Sequence, residues 1–280
     1  MSAELTAVVF GLTAAGAWGA ADFGGGLLAR RVPAFGVVLV SQAIGLTAAL
    51  AAGAVRGEPV PAPLDLAWCL AAGGLGGLGL VALYHGLATG RMGIVAPITG
   101  VLTAGLPVAA GILLAGLPGP ARAAGFALGF AAVVLVSAGA DRGTGPSGVR
   151  PALAAGCSFG LFTLLISRVT PGLVFGPIAA ARAASIVLVG FVILAGRRSW
   201  RPTPRLLPGL ALVGLLDVAG NMGFLLAAQA GRLDVAALLS SLYPVVTVLL
   251  AAAVLGERVT IPHLTGIAAA ALAVGLIAVG

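Results

Sequence analysis

The sequence predicts an all-α integral membrane protein of ten transmembrane helices, arranged as two inverted five-helix repeats. Three observations predict it: a composition with too little polar surface for water, ten apolar runs of bilayer-crossing length, and one offset of 141 residues that lays the second half of the chain on the first.

The 280 residues are 60% hydrophobic and 8% charged, with a mean hydropathy of +1.16. Soluble domains carry about 25% charged residues. A transmembrane helix needs roughly 20 apolar residues to cross about 30 Å of hydrocarbon, so the chain holds ten spans and little else. Formal net charge is +7, and all 15 basic residues are arginines. A pI near 11.2 raises nucleic-acid binding, but the arginines sit singly or in small groups between apolar runs. They read as interfacial loop charges, so the expected partner is the lipid bilayer and no nucleic acid. Cys69 and Cys157 lie inside apolar stretches, where cysteine is a small buried hydrophobe, and no disulfide is inferred.

Apolar runs bounded by Arg, Pro and polar clusters place spans at 5–28, 33–55, 65–89, 92–116, 120–139, 151–168, 173–195, 206–229, 233–256 and 260–280. The first, Leu5 to Leu28, lacks a basic leader and a small-residue cleavage site, so it is read as a span rather than a removable signal. At the offset of 141, Gly90-Arg91 falls on Gly231-Arg232, Gly125 on Gly266, and Ala132-Val133 on Ala273-Val274. Ala14, Ala17, Trp18 and Gly19 fall on Ala155, Ser158, Phe159 and Gly160. Residues 1–140 are then one repeat, 141–150 the connecting loop, and 151–280 the second repeat. Five spans per repeat is an odd number, so the second copy enters the membrane in the opposite sense, as in many alternating-access transporters. Both termini share one face. With that face cytoplasmic, Arg56, Arg122, Arg168 and Arg232 lie inside against ten loop arginines outside, and the positive-inside rule favours the reverse.

The chain resembles the drug/metabolite transporter superfamily, specifically its ten-helix branch with paired EamA domains. Ala17-Trp18-Gly19 in the first span is similar to the family's Trp-Gly signature, and Ala180-Ala181-Arg182 to the arginine of its seventh span. Leu242-Tyr243-Pro244-Val245 followed by Gly256-Glu257-Arg258 is similar to the proline and closing glycine-glutamate of the ninth. The first copy departs from this pattern, with Ser41, Gly116 and Thr103 where the second has Arg182, Glu257 and Pro244. The resemblance implies cytoplasmic termini, against the arginine count, and a central cavity lined by spans 1, 3, 4, 6, 8 and 9.

Ionisable groups inside spans cost about 2.5–3.5 kcal/mol on insertion scales, so each is a functional candidate. Asp217 falls near the middle of span 8 with Asn221 one turn later on the same face. The two either bind a polar solute or carry a proton, or Asp217 pairs with Arg182 and locks spans 7 and 8 together. Asp22 follows Trp18 by one turn, as a cavity residue or as an acid snorkelling from the end of span 1. Trp18 lies near mid-span rather than at an interface, where tryptophans gather. Tyr84 and His85 sit together towards the end of span 3, where a histidine titrates near neutral pH or is held by a neighbouring helix. Pro97 and Pro107 in span 4 and Pro244 in span 9 each remove a backbone donor. Interrupted helices at corresponding places in two halves point to a midplane site. Ser240 and Tyr243, just before Pro244, either satisfy freed carbonyls or face the solute.

Two motifs compete with transport. Gly156-Cys157-Ser158-Phe159-Gly160 spells the frame of a serine nucleophile, but its repeat counterpart has no serine and the only histidines are His85 and His263. Gly77-Leu78-Gly79-Leu80-Val81-Ala82 matches a dinucleotide fingerprint without the strand that motif requires, so close helix packing is expected there. No metal-ligand spacing is present and no Walker A loop. The expectation is therefore a secondary transporter in the cytoplasmic membrane, not an enzyme and without cofactor. It moves a small metabolite or drug-like solute by alternating access, with export the expected direction and protons a candidate coupling ion. The alternatives are an intramembrane serine hydrolase using Ser158 and a non-transporting structural membrane protein.

Overall fold

The computed structural model describes residues 3–89, 92–138, 148–255 and 260–279, and almost all of them are helical. The helices are α1 (Ala3–Ala29), α2 (Ala34–Arg56), α3 (Pro63–Thr89), α4 (Met92–Ala115), α5 (Pro120–Ala138), α6 (Val149–Ile166), α7 (Phe175–Ala195), α8 (Leu207–Ala230), α9 (Leu233–Ser240), α10 (Tyr243–Leu255) and α11 (Ile261–Val279). Seven apolar helical runs have the length to cross a membrane, counting α9 and α10 as one, and shorter apolar runs lie in α4, α5 and α11. The ends of nine predicted spans agree with the helices to within three residues. Gly90-Arg91, most of the 141–150 loop and Gly256-Glu257-Arg258 lie outside the described residues.

The ninth predicted span is two helices. Pro244 has no N–H to offer the Ser240 carbonyl, and its ring crowds that carbonyl. The chain makes a tight turn instead, with Ser241 N donating to Ala237 O and Leu238 O at 3.1 Å and Leu242 N to Leu239 O at 3.2 Å. The corresponding α4 runs unbroken through Pro97 and Pro107, so the expectation of interruptions in both halves holds only for the second.

Helix pairing repeats when the halves are exchanged. α1 packs on α8 as α3 packs on α6; α4 packs on α6 as α9 and α10 pack on α1; α3 packs on α7 as α2 packs on α8. The pairs α2 with α7, α5 with α11 and α4 with α9 map onto themselves. Two copies of one unit related by a pseudo-two-fold axis produce this pattern. α5 and α11 sit to one side of the bundle, and the other helices surround its centre.

Small residues let those helices close in. A Cβ on Gly73 would overlap the Ala181 backbone, and one on Gly77 the Ser185 side chain. A Cβ on Gly79 would lie 2.7 Å from the Phe159 ring, so this glycine run is a packing surface. Large apolar side chains face outward instead, as with Val187, Phe191 and Leu194 along the outer side of α7, exposed by 72%, 65% and 78%. That inside-out distribution suits lipid, which solvates leucine as well as a core does. Cys69 is buried, whereas Cys157 is exposed on α6, contrary to the burial expected of both.

On the face that carries the chain termini, polar contacts join the halves. The Glu58 carboxylate accepts the N–H groups of Val174, Phe175 and Gly176 at 2.9, 3.1 and 2.7 Å. It thereby caps the positive end of α7. Asp65 Oδ1 accepts from Thr170 N at 3.0 Å and Thr170 Oγ1 at 3.2 Å, and Arg232 Nη2 donates to Gly116 O at 3.1 Å.

Candidate functional site

Arg182 is carried on α7 among alanines, Ala179 to Ala184, and is 3% exposed. Its side chain crosses to α2 where Gly45 makes room: a Cβ there would lie 2.8 Å from the guanidinium. Nη1 donates to Gln42 Oε1 at 2.7 Å, and Nη2 to Asp217 Oδ2 at 3.0 Å on α8. Gln42 Nε2 lies 3.4 Å from the same carboxylate oxygen. Asp217 is completed from its own helix, since Asn221 Nδ2 donates to its backbone O at 2.7 Å and to Oδ1 at 3.2 Å. Two acceptors at that nitrogen settle the amide orientation, because a flipped amide would set oxygen against oxygen. Three helices therefore meet through one charge-assisted network, which offsets the desolvation that burying an ion pair incurs.

The network forms one wall of a central cavity with about 720 Å³ of unfilled space, mouth included. Of the sequence-derived candidates, Trp18, Asp22, Arg182, Asp217, Asn221 and Tyr243 line it. The Arg182–Asp217 pair is both a link between helices and part of the cavity wall. Asp22 turns inward to the cavity instead of snorkelling from the end of α1. Trp18 packs flat on Gly220 of α8 and stacks on Phe224, ring centroids 5.9 Å apart and planes inclined by 29°. Tyr243 leads α10, and Thr247 one turn later donates to Gly19 O at 3.1 Å, tying α10 to α1.

The other candidates lie elsewhere. Tyr84 is buried to 1% exposure behind the cavity, its ring filling the space a Cβ on Gly25 would need. His85, the next residue, turns outward and is exposed. Ser240 Oγ donates to Ala237 O at 3.1 Å, so it serves the carbonyls near the break rather than the cavity. Pro244 is buried in the first turn of α10; Pro97 sits within α4, and its side chain lies outside the described residues. Ser158 is on α6, while His263 is spent at the start of α11, its Nδ1 accepting from Thr260 N at 3.1 Å. No histidine among the described residues is hydrogen-bonded to Ser158.

Sequence reasoning missed Gln42, although a primary amide in the apolar run Val37 to Leu46 was a visible signal. It also missed Thr163, Ser185 and Phe162, and the contribution of α2 and α7 to the lining. The repeat organises these residues. Trp18 and Phe159, Asp22 and Thr163, Gly76 and Asp217, and Leu80 and Asn221 are pairs at the 141 offset, and all eight line the cavity. One side carries Asp22, Asp217 and Asn221 beside Trp18, and its pseudo-symmetric image, Thr163, Gly76, Leu80 and Phe159, carries no charge.

Residues 147–279 match the EamA-like transporter family. A solved structure described only as the crystal structure of a protein superposes with a TM-score of 0.74 at 20% identity, over 96% of this chain and 95% of its own. That likeness is one of fold. No protein of curated function matches the sequence.

Proposed function

Residues 147–279 being an EamA-like transporter domain, we propose that the chain is a secondary transporter of the cytoplasmic membrane that carries a small solute outward by alternating access. The observation that supports this most directly is the central cavity, to which both halves contribute polar side chains: Trp18, Asp22 and Gln42 from one, Arg182, Asp217 and Asn221 from the other. A charged network in the middle of a membrane protein is costly to bury, and its usual return is a solute or ion path.

In this reading the two halves rock about the cavity. The Glu58, Asp65 and Arg232 contacts hold the terminal face shut and must part when that face opens. Asp22 and Asp217 are the groups through which a proton gradient couples to solute movement, because they are the carboxylates that line the cavity.

The test is solute flux in proteoliposomes with an imposed pH gradient, for the unmodified protein and for Asp217→Asn and Asp22→Asn. Gradient-driven flux that loses its dependence on the gradient in either variant supports the reading. Full rate and full gradient dependence in both variants would remove the two carboxylates from coupling, and absence of flux for every solute class tried would remove transport.

A further inference from the structure

The hydrogen-bonding capacity left unused at Asp22 and Asn221 is that of acceptors. Arg182 is committed through Nη1 to Gln42 and through Nη2 to Asp217, while its Nε is buried without a partner against α2 at Gly45. Asn221 has placed its donor on two oxygens of Asp217. What remains at Asn221 and Asp22 is acceptors. The Asp22 carboxylate lines the cavity together with Asp217, with no hydrogen bond or ion pair among the described residues. Asn221 Oδ1 is buried with no partner. The Ser185 hydroxyl, also buried without a partner, serves as donor or acceptor. With both carboxylates ionised, the cavity holds two negative charges against one positive.

A buried acceptor without a donor costs about 1–3 kcal/mol, and a solute that supplies N–H groups recovers it. A carboxylate in the same place would meet the charges of Asp22 and Asp217, with the Arg182 charge already paired to Asp217. The lining also includes Phe159, Phe162, Leu80 and Ile178, an apolar surface with no charge. Resting on the reading of this cavity as the solute site, we infer that the solute class is a small amphipathic amine. Its protonated primary or secondary nitrogen donates to Asp22 and Asn221 Oδ1, its aromatic or aliphatic body lies against Phe159 and Phe162, and it carries no free carboxylate. A quaternary ammonium has the charge but no N–H, so it leaves both acceptors unmet.

Calorimetric titration of the full chain in lipid nanodiscs tests this with four probes that share one phenyl body: phenethylamine, its trimethylated ammonium, phenylalanine and phenylpropionate. Phenethylamine binds saturably and tightest, the trimethylated form binds more weakly, and the two carboxylate-bearing probes bind least. Asp22→Asn weakens phenethylamine roughly tenfold or more, the scale of a lost charge-assisted hydrogen bond, and Asp22→Glu restores part of the loss. The inference is overturned if phenethylamine does not bind, if either carboxylate probe binds as tightly, if trimethylation has no effect, or if Asp22→Asn binds the amine unchanged. The probe series needs no variant, so it stands even if Asp22→Asn does not fold. Flux of the same probes in proteoliposomes separates the two readings: amine binding without any flux overturns transport alone, and flux of another solute class without amine binding overturns the amine alone.

Discussion

Neutralising Arg182 is expected to destabilise the protein more than neutralising its partner Asp217, and doing both less than the two changes summed. With charge centres about 4 Å apart and an effective dielectric near 20, the pair attracts by about 4 kcal/mol before desolvation is counted. Arg182 is 3% exposed and Asp217 13% by side chain, so neither charge reaches bulk water if its partner is removed. Arg182→Gln leaves Asp217 and Asp22 facing one cavity without a cation, and a broken buried pair of this kind costs about 3–5 kcal/mol. Asp217→Asn keeps an oxygen for Arg182 and leaves Asp22 as counter-charge, so its loss is about that of one charged hydrogen bond, roughly 2 kcal/mol. The double variant removes both members of the pair and leaves neither without its partner, so its total should fall short of the sum by at least about 1 kcal/mol. Equilibrium unfolding of the purified protein in mixed micelles, followed by helical circular dichroism, measures all four states. Additivity within about 0.5 kcal/mol would mean that the two side chains do not interact, and the network assigned to α2, α7 and α8 would be wrong.

Other consequences follow from single contacts. Gly73→Ala forces a methyl into the Ala181 backbone and should destabilise by about 1–3 kcal/mol. Gly16→Ala, with nothing within 4 Å of the added carbon, should be neutral or stabilise by up to about 1 kcal/mol, and thermal unfolding of the pair compares them in one background. Glu58→Ala uncaps α7 and should cost about 0.5–2 kcal/mol, seen as faster hydrogen exchange at the amides of Val174, Phe175 and Gly176; unchanged exchange would dismiss the cap. Pro244→Ala restores a donor to the Ser240 carbonyl, so the new amide should be strongly protected from exchange, and a fast-exchanging amide would show that the break has another cause.

The adjacent pair Tyr84 and His85 illustrates what sequence reading could not reach. Successive residues diverge by about 100° around a helix, so one is buried and the other exposed, and the choice depends on where α1 lies. In a soluble protein the apolar stripe would reveal that direction. Here every face is apolar, because lipid and core accept the same side chains. The visible cue is size instead: the glycine run of α3 packs against α6 and α7, whereas Val187, Phe191 and Leu194 of α7 face outward. Similarly, Asn221 was placed beside Asp217 by their spacing along one helix, whereas Gln42 and Arg182, 140 residues apart, meet only through the packing of α2 on α7.

What the sequence determined alone is the number and extent of the spans and the repeat that relates them, since crossing a bilayer is a condition each segment meets by its own composition and length. The 141 offset also identified which positions differ between copies, Asp217 against Gly76 and Arg182 against Ser41. Tertiary structure decided the rest: that span nine breaks at Pro244 while span four does not, that Arg182 is consumed by Gln42 and Asp217, and that Asp22 is left without a partner. Those outcomes are set by distances between side chains on different helices, and in a uniformly apolar sequence only close packing determines which helices meet.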